Sequence, residues 1–260
     1  MTTTDQLEAD QQAGVVIDAA GLHYRDLNRR VRELVAAGET ALTLRNVRGQ
    51  RYIGDGLKGK DVRITIHGVP GGDLAAFMDG PTLEVFGNGQ DAACNTMNDG
   101  VVIIHGNAGD ALGYGMRGGS LFVRGDAGYR VGIHMKAYKT QIPAVVIGGC
   151  VGDFFGEYMA GGTLVVLGLD HKPGKRLVGD YLASGIHGGE IFLRATPDML
   201  PKAPYLSVEP VGADGLKALT PRLRAFAEAF SLDAEELLTG PFTRLTPISH
   251  RPFAAKYAPA

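Results

Sequence analysis

The feature that most constrains the fold of this chain is a repeat of 19 residues. Its clearest markers are four methionines at that spacing, namely Met78, Met97, Met116 and Met135. A period near 20 residues in a chain with 38 glycines is typical of a solenoid, in which each unit stacks on the one before. Leu57, Met159 and Ile186 extend the methionine column at its two ends. We therefore expect seven units between about Gln50 and Ala195.

Each unit carries a short apolar stretch that ends at a glycine. These glycines are Gly68, Gly87, Gly106, Gly125, Gly148 and Gly168. Because side chains alternate between the two faces of a strand, the purely apolar positions two and four residues before each glycine must face inward. They are Ile66, Val85, Ile104, Val123, Val146 and Val166, and Ile64, Leu83, Val102, Leu121, Ala144 and Leu164. This pattern predicts an all-β fold.

More specifically, we expect a right-handed parallel β-helix, a single-stranded solenoid of about seven turns with flanking N- and C-terminal helices. Every unit has a small residue at its corner, three positions before the methionine column. These residues are Gly54, Ala75, Cys94, Gly113, Gly132, Gly156 and Ala183. Small side chains let the backbone turn tightly, often with positive φ, and stack on the turn below. Because the glycines recur in every unit, they do not indicate a phosphate-binding loop, which occurs once between a strand and a helix.

The other face of the strands should carry an apolar stripe that points away from the interior. Its members are Phe86, Ile103, Phe122, Val145, Ile147, Val165, Leu167 and Phe192. A stripe of that length is not left to water in a protein of this size. Two amphipathic segments could cover it, residues 23–37 and a second from about Pro221 to Leu238 that restarts near Ser231 and Asp233. A partner subunit is the alternative cover, and the sequence leaves the choice open.

The chain divides into four regions. Residues 1–13 are polar and are expected to be disordered. Residues 14–49 should hold the N-terminal helix and a first strand, and residues 50–195 the β-helix. Residues 196–260 should form a C-terminal helical extension and tail. Within the β-helix, the basic run His171–Arg176 predicts a loop that faces solvent or a partner.

The glycine pattern of the corners resembles that of a known family. The residues that carry the resemblance are Gly54 and Gly56, then Gly109, Gly113, Gly115, Met116, Gly118 and Gly119, then Gly132, and finally Gly152, Gly156, Gly161 and Gly162. Their arrangement is similar to the GXGXG β-helix domain that ends the large subunit of glutamate synthase, above all to its free-standing form. Where Ala75, Cys94 and Ala183 depart from glycine, another small residue preserves the corner.

The resemblance implies a non-catalytic structural subunit of a glutamate synthase-like glutamine amidotransferase complex, and therefore a hetero-oligomer. Its partners would be a class II glutamine amidotransferase subunit and a synthase subunit that carries FMN and an iron-sulfur cluster, so that this chain holds no cofactor. The complex would make glutamate or transfer an amine, as in N-methylglutamate synthesis. A different class that uses a similar β-helix remains the alternative: the β-helix subunit of formylmethanofuran dehydrogenase or of the formyltransferase/hydrolase complex.

The cysteines of the chain agree with this division of labour. A class II glutaminase uses an N-terminal cysteine, whereas Met1 is followed here by Thr2. An iron-sulfur cluster needs three or four closely spaced thiolates, and this chain has only Cys94 and Cys150. An isolated residue such as Cys150 is more often a small buried hydrophobe than a nucleophile. We therefore assign no catalytic, cofactor-binding or metal-binding residue.

Polar and aromatic residues at the corners and in the tail are the candidate partner contacts. They are His134, Tyr158 and His187 at the corners, and Phe242 and Phe253 in the tail. The net charge of −2 argues against a nucleic-acid partner. The sequence shows neither a signal peptide nor an apolar run that could span a membrane, and it has two cysteines, so we expect a cytoplasmic location.

Overall fold

The chain winds into a coil of parallel strands that other elements close at each end. The computed structural model describes residues 14–172 and 174–250. In chain order its elements are β1 Val15–Asp18, α1 Tyr24–Ala36, β2 Ala41–Arg48, β3 Arg63–Val69, β4 Asp79–Phe86, β5 Asp99–Ile104, β6 Ser120–Val123, β7 Ala144–Ile147, β8 Ala160–Val166, β9 Gly188–Leu193, a short 3₁₀ helix Pro197–Met199, β10 Leu206–Pro210, α2 Ala213–Phe230, α3 Ala234–Leu238 and β11 Thr243–Pro247. These strands form one eleven-stranded sheet in the order β1-β2-β3-β4-β5-β6-β7-β8-β9-β11-β10.

Successive strands from β1 to β9 pair in parallel, so the chain adds one strand to the sheet with each turn. Each connection from β2 onward passes through one of the predicted small-residue corners. The methionine column lies in the interior, where Met78, Met97, Met116, Met135 and Met159 are fully buried. The predicted all-β parallel β-helix is confirmed. Its dry core is a stack of repeated apolar positions, which is why the 19-residue period is visible in the sequence.

One turn departs from the predicted register. β7 pairs with its neighbours so that Val145 and Ile147 face the interior, while Val146 faces outward. The predicted orientation of these three residues, and of Ala144 on the same face as Val146, is therefore wrong. The prediction rests on counting back from Gly148, but the glycine that continues the ladder of closing glycines is Gly149. The insertion before β7 conceals this shift of one residue, and such a shift exchanges the two faces of a strand.

Helix α1 covers the first end of the interior. It occupies the segment predicted to be helical, and its apolar residues Leu27 and Val31 pack into the interior cluster. Asn28 also fixes the helix to the first corner, because its side-chain amide donates to the carbonyl of Arg51 at 2.8 Å. The apolar face of α1 therefore seals the end of the coil. It is not the cover of the outward stripe.

The two C-terminal helices cover that stripe. An outer cluster, separate from the interior, joins strands β6 to β9 to α2 and α3. Its buried members are Phe122, Val146, Val165, Leu167, Phe192, Leu219, Leu223, Phe226, Ala227, Leu237 and Phe242. Phe226 lies at its centre, with its ring 6.0 Å from that of Phe122. The question that the sequence left open is answered within the chain, since its own helices bury the outward side of these strands.

Helix α2 begins eight residues before the predicted start. Proline is favoured in the first turn of a helix, which is why Pro221 suggests the beginning, but this proline lies inside α2. The predicted restart is correctly placed. Ser231 takes a left-handed conformation that ends α2, and the side chain of Asp233 accepts the amide hydrogen bonds that begin α3.

Strands β10 and β11 close the far end of the coil. β11 pairs antiparallel with β9, the last parallel strand, and β10 pairs antiparallel with β11. Only helices and a tail were expected in this region, so this pair of strands was not predicted. Because β11 occupies the free edge of β9, the parallel coil ends there.

Candidate partner-binding face

The seven corners share a backbone conformation that is rare for residues other than glycine. In each corner three alternate residues have φ between 51° and 79°. The first corner positions are Tyr52, Asp73, Ala92, Ala111, Arg130, Phe154 and Tyr181. The middle positions are Gly54, Ala75, Cys94, Gly113, Gly132, Gly156 and Ala183. The last positions are Gly56, Phe77, Thr96, Gly115, His134, Tyr158 and Gly185. We call the outward surface formed by the first and last positions the corner face.

The middle position must be small because it faces the interior. A Cβ atom added to Gly54 would lie 2.6 Å from a methyl group of Leu83, and one added to Gly132 would lie 2.6 Å from a methyl group of Leu164. At the last position of the first corner, by contrast, a Cβ added to Gly56 would meet nothing within 4 Å. At Gly56 there is therefore room for a side chain, and only the positive φ favours glycine.

The other predicted motif glycines allow close contact between turns. A Cβ at Gly118 would overlap the carbonyl oxygen of Asn98, and a Cβ at Gly161 would lie 2.7 Å from the amide nitrogen of Ala137. Gly119 and Gly162 follow them with positive φ, and Gly109 and Gly152 pack against the corner below. Gly115 occupies a last corner position, and Gly113 and Gly156 are middle positions. Met116 is fully buried in the interior column.

Large aromatic residues occupy several positions of the corner face in spite of the strained backbone. Phe77, Phe154, Tyr158 and Tyr181 all have φ between 51° and 61°. A left-handed conformation costs a residue with a side chain about 1–2 kcal/mol, a cost that glycine avoids. Glycine occupies the last positions of other corners, and alanine the first, so the fold does not demand these rings. Strain of this kind that persists on a surface points to function.

The first corner positions of the last three corners form one stack. The rings of Phe154 and Tyr181 are 4.8 Å apart and nearly parallel. On the other side of Phe154, the guanidinium carbon of Arg130 lies 4.8 Å from the ring centroid. Nε of Arg130 also donates to a carboxylate oxygen of Glu157 at 3.2 Å. Tyr181 ends the stack, and 63% of its surface is exposed.

The last corner positions form a second stack, which includes two of the predicted partner contacts. The rings of His134 and Tyr158 are stacked 5.2 Å apart, and Tyr114 meets His134 edge-on at 5.7 Å. The Tyr158 ring lies against Gly185, where an added Cβ would be 2.5 Å from ring carbons. The repeat therefore brings His134 and Tyr158 together on one exposed surface, as successive steps of a ladder.

Two ladders of Asn and Asp side chains run along the edge of the corners, and the sequence analysis does not identify them. In one, the side-chain oxygens of Asn88, Asn107 and Asp126 accept the backbone N–H of a residue one turn later, at 2.7–2.9 Å. In the other, those of Asp91, Asp110 and Asp153 do the same. The signal is present, because Asn88 and Asn107 lie one 19-residue period apart, as do Asp91 and Asp110. Each such bond satisfies a backbone donor that the corner leaves unpaired.

The remaining predicted contacts lie elsewhere. His187 follows the last corner, and its carbonyl accepts a hydrogen bond from Nδ1 of His250 at 2.9 Å. Phe242 is 4% exposed and packs in the outer cluster beneath α2 and α3. Its prediction as a partner contact is wrong, because its side chain anchors the C-terminal extension to its own coil. Phe253 lies outside the described residues.

Both cysteines are buried, and neither is in an activated state. Burial raises the pKa of Cys94 and of Cys150; at Cys150, nearby Lys175 opposes the shift and Asp126 adds to it. The backbone N–H of Cys150 ends one of the ladders, since it donates to Asp126 at 2.7 Å. A raised pKa keeps a thiol protonated and unreactive at neutral pH.

The basic loop is exposed to solvent, as expected, but two ion pairs attach it to the coil. Lys175 forms an ion pair with Asp126, and Arg176 pairs with Asp180. A groove of about 330 Å³ lies beneath the loop and is also lined by His171 and Arg194. Among the described residues, no three His, Cys, Asp or Glu side chains converge as metal ligands would. Over the same part of the chain, no helix is long and apolar enough to cross a membrane.

The fold and the corners define this chain as a parallel β-helix with glycine-type corners. The chain belongs to the family described as the GXGXG motif, which matches residues 35–237 and is linked to glutamate synthase-type proteins. The chain is also similar to an uncharacterized protein of Methanocaldococcus jannaschii, MJ1350. The two are 44% identical over 252 residues, which cover 94% of this chain and 97% of MJ1350.

Proposed function

We propose that this chain is a non-catalytic structural subunit of a glutamate synthase-like glutamine amidotransferase complex, and that the corner face is where it holds its partners. Family membership supports the reaction class. The observation that carries the role is the row of exposed rings at strained positions, above all Tyr158 and Tyr181. Exposed Tyr and Arg side chains are the residues that dominate protein interfaces, and here they stand on a rigid coil.

In this proposal the chemistry belongs to the partner chains. A class II glutaminase subunit would release ammonia from glutamine, and a subunit with FMN and an iron-sulfur cluster would use the nitrogen on a keto-acid or amino-acid acceptor. The buried and protonated cysteines of this chain agree with that assignment. The coil contributes a fixed surface on which two active sites can be held in one orientation. The amine donor, ammonia or a methylated amine, is a property of the glutaminase-type and synthase chains.

Affinity purification of the full chain from native cells, followed by mass spectrometry, tests the proposal. We expect recovery of a glutaminase-type chain and a flavin/iron-sulfur chain in fixed ratio. A matched pair of variants tests the role of the corner face: Tyr158→Asn should reduce that recovery, whereas Tyr138→Asn, at an exposed tyrosine of the loop before β7, should not. Asn is suited to the first site because it tolerates positive φ.

Two results would overturn the proposal. The first is recovery of a pterin-dependent or amidohydrolase-like partner, which would move the chain to the one-carbon complexes. The second is activity in the chain alone: a bound flavin, or measurable turnover of glutamine by the isolated protein, would show that it is not a scaffold. The isolated chain should be colourless and inactive with glutamine.

A further inference from the structure

A row of carboxylates runs beside the first corner positions. Asp91, Asp110, Asp153 and Asp180 each immediately precede a first corner position. Three of them, Asp91, Asp110 and Asp153, use one oxygen to accept the backbone N–H of the next turn. Within the described residues these three form no salt bridge, although the guanidinium of Arg176 also interacts with the Asp153 carboxylate. The corner face therefore combines stacked rings with a parallel row of negative charge.

Two guanidinium groups of the chain already make one contact each of the proposed kind, one with a ring and one with a carboxylate of the row. The guanidinium of Arg130 lies close enough to the corner face to contact Phe154, 4.8 Å from its ring centroid, while its Nε donates to Glu157. Arg176 likewise pairs with Asp180, the residue before Tyr181. A guanidinium is suited to both contacts at once, because it is planar, permanently charged and weakly hydrated.

Open groups lie on both sides of the stack, a ring on one side and carboxylates on the other. Tyr181 presents an exposed ring, and it belongs to the last corner of the described coil. On the other side of Arg130, the first corner positions are Ala92 and Ala111, whose small side chains leave room beside Asp91 and Asp110. Carboxylates therefore lie on one side of Arg130 and an open ring on the other, with neighbouring turns about 4.8 Å apart.

We propose that the corner face binds an arginine-bearing segment of a partner chain, whose guanidinium groups stack on the exposed rings and pair with the row of carboxylates. This inference rests on the proposed function for the existence of a partner, and it adds the chemistry by which the partner is recognised. A lysine-bearing segment would satisfy the charge but not the stacking. An acidic segment would be repelled by the carboxylates.

Binding of fluorescent octa-arginine and octa-lysine peptides to the full-length protein, measured by anisotropy at low salt, tests this chemistry. Both peptides carry the same charge, so a preference for arginine reports stacking. We expect octa-arginine to bind about three- to ten-fold more tightly, in line with cation–π contacts at exposed sites. The double variant Phe154→Asn/Tyr181→Asn should lose that preference, and Tyr138→Asn should keep it.

The carboxylates are tested separately by the triple variant Asp91→Asn/Asp110→Asn/Asp153→Asn. Asn preserves the ladder, because Asn88 and Asn107 accept the same backbone bonds in the neighbouring ladder. We expect binding of both peptides to weaken about tenfold as charge complementarity is lost. A control with the same change in net charge at exposed acids away from the corners, Asp61→Asn/Asp198→Asn/Asp214→Asn, should weaken it much less.

Equal affinity for the two peptides, or an equal loss in the control triple variant, would overturn the inference. Failure of the inference can be distinguished from failure of the proposed function. If the Asp91/Asp110/Asp153 variant captured a glutaminase-type and a flavin chain at the wild-type yield, the inference would be wrong and the scaffold role would stand. If the arginine preference held but no such chains were ever captured, the arginine-binding inference would stand and the proposed scaffold role would be wrong.

Discussion

The coil has two outward surfaces formed by the same repeat, one covered by other parts of the chain and one exposed. The outward side of strands β6 to β9 is apolar, and α2 and α3 bury it. The corner face carries aromatic rings at strained positions, and these rings stay exposed. The chain thus covers the surface that would aggregate and leaves the corner face open. Our proposal that the corner face binds a partner rests on its strained and exposed rings, because apolar character would have pointed to the covered strands instead.

The largest effect should come from the covered surface. Phe226 is fully buried at the centre of the outer cluster, so Phe226→Ala should lower the free energy of unfolding by about 3–5 kcal/mol. On the corner face, Tyr181→Asn should change it by less than about 0.5 kcal/mol, because an exposed ring is lost and Asn accepts the backbone. Urea unfolding of both variants measures the difference. Similar losses would mean that the corner face is also part of the structural core.

The next comparison concerns glycines on the corner side of the coil. A Cβ at Gly118 would overlap the carbonyl oxygen of Asn98, whereas a Cβ at Gly56 would meet no atom within 4 Å. We expect Gly118→Ala to cost about 3 kcal/mol from overpacking against rigid backbone. Gly56→Ala should cost only about 1 kcal/mol, from its positive φ. Thermal or urea unfolding would contradict this account if the two losses were equal.

The Asp ladder should show a smaller effect that depends on chemistry and not on size. Asp110→Ala removes the acceptor for the backbone N–H of Tyr129, which should cost about 1–2 kcal/mol. Asp110→Asn keeps the acceptor and should cost less than about 0.5 kcal/mol. Amide hydrogen exchange at Tyr129 provides a local readout, with faster exchange expected in the Ala variant alone. Unchanged exchange in that variant would show that the ladder bond is not needed.

The smallest effect should be a pH dependence of stability at Asp126, where the basic loop contacts the ladder of Asn88, Asn107 and Asp126. Burial by itself would raise the pKa of Asp126, but hydrogen bonds from Lys175 and from the amide of Cys150 outweigh it, so the pKa is lowered. A lowered pKa contributes stability above the unfolded value of about 3.9, and that contribution is lost as pH falls through the folded value. Because the pair is half exposed, we expect less than about 1 kcal/mol.

Comparison of the wild-type protein with Asp126→Asn isolates the contribution of the ion pair with Lys175, since Asn retains the ladder acceptor and removes only the charge. Unfolding free energies of the two proteins should differ most near pH 7 and converge as pH falls through the lowered pKa of Asp126, where its carboxylate becomes protonated. A difference that stayed constant across this range would show that the ion pair with Lys175 contributes nothing.

The repeat made most of the coil predictable, because a period of 19 residues fixes which positions stack. Prediction failed where that period is interrupted. The insertion before β7 hid a shift of one residue, which exchanged the faces of Val145, Val146 and Ile147. The closing strand β11 was missed because its partner, β9, is far away in sequence and its pairing is antiparallel. Such contacts depend on tertiary structure, which local periodicity does not encode.

The binding surface was only partly predictable. The repeat identifies His134 and Tyr158 as corner residues and is enough to place them near each other. Their positive φ values were not predictable, because a histidine or tyrosine, unlike glycine, gives no sequence signal of a left-handed backbone. Phe242 looked equally suitable as a contact, and only its packing in the outer cluster excludes it. Burial distinguishes an internal anchor from an external contact, and aromatic character does not.

The stacking of identical corners also sets a unit of length. Because every turn repeats the same backbone path, the distance between the two ends of the coil can change only by whole turns of about 4.8 Å, with no intermediate values. Insertion of one more 19-residue unit would lengthen the protein by one such step and leave every other corner as it is. In a complex that contacts this coil at two places along its length, the distance between the two contacts would therefore be a whole number of turns.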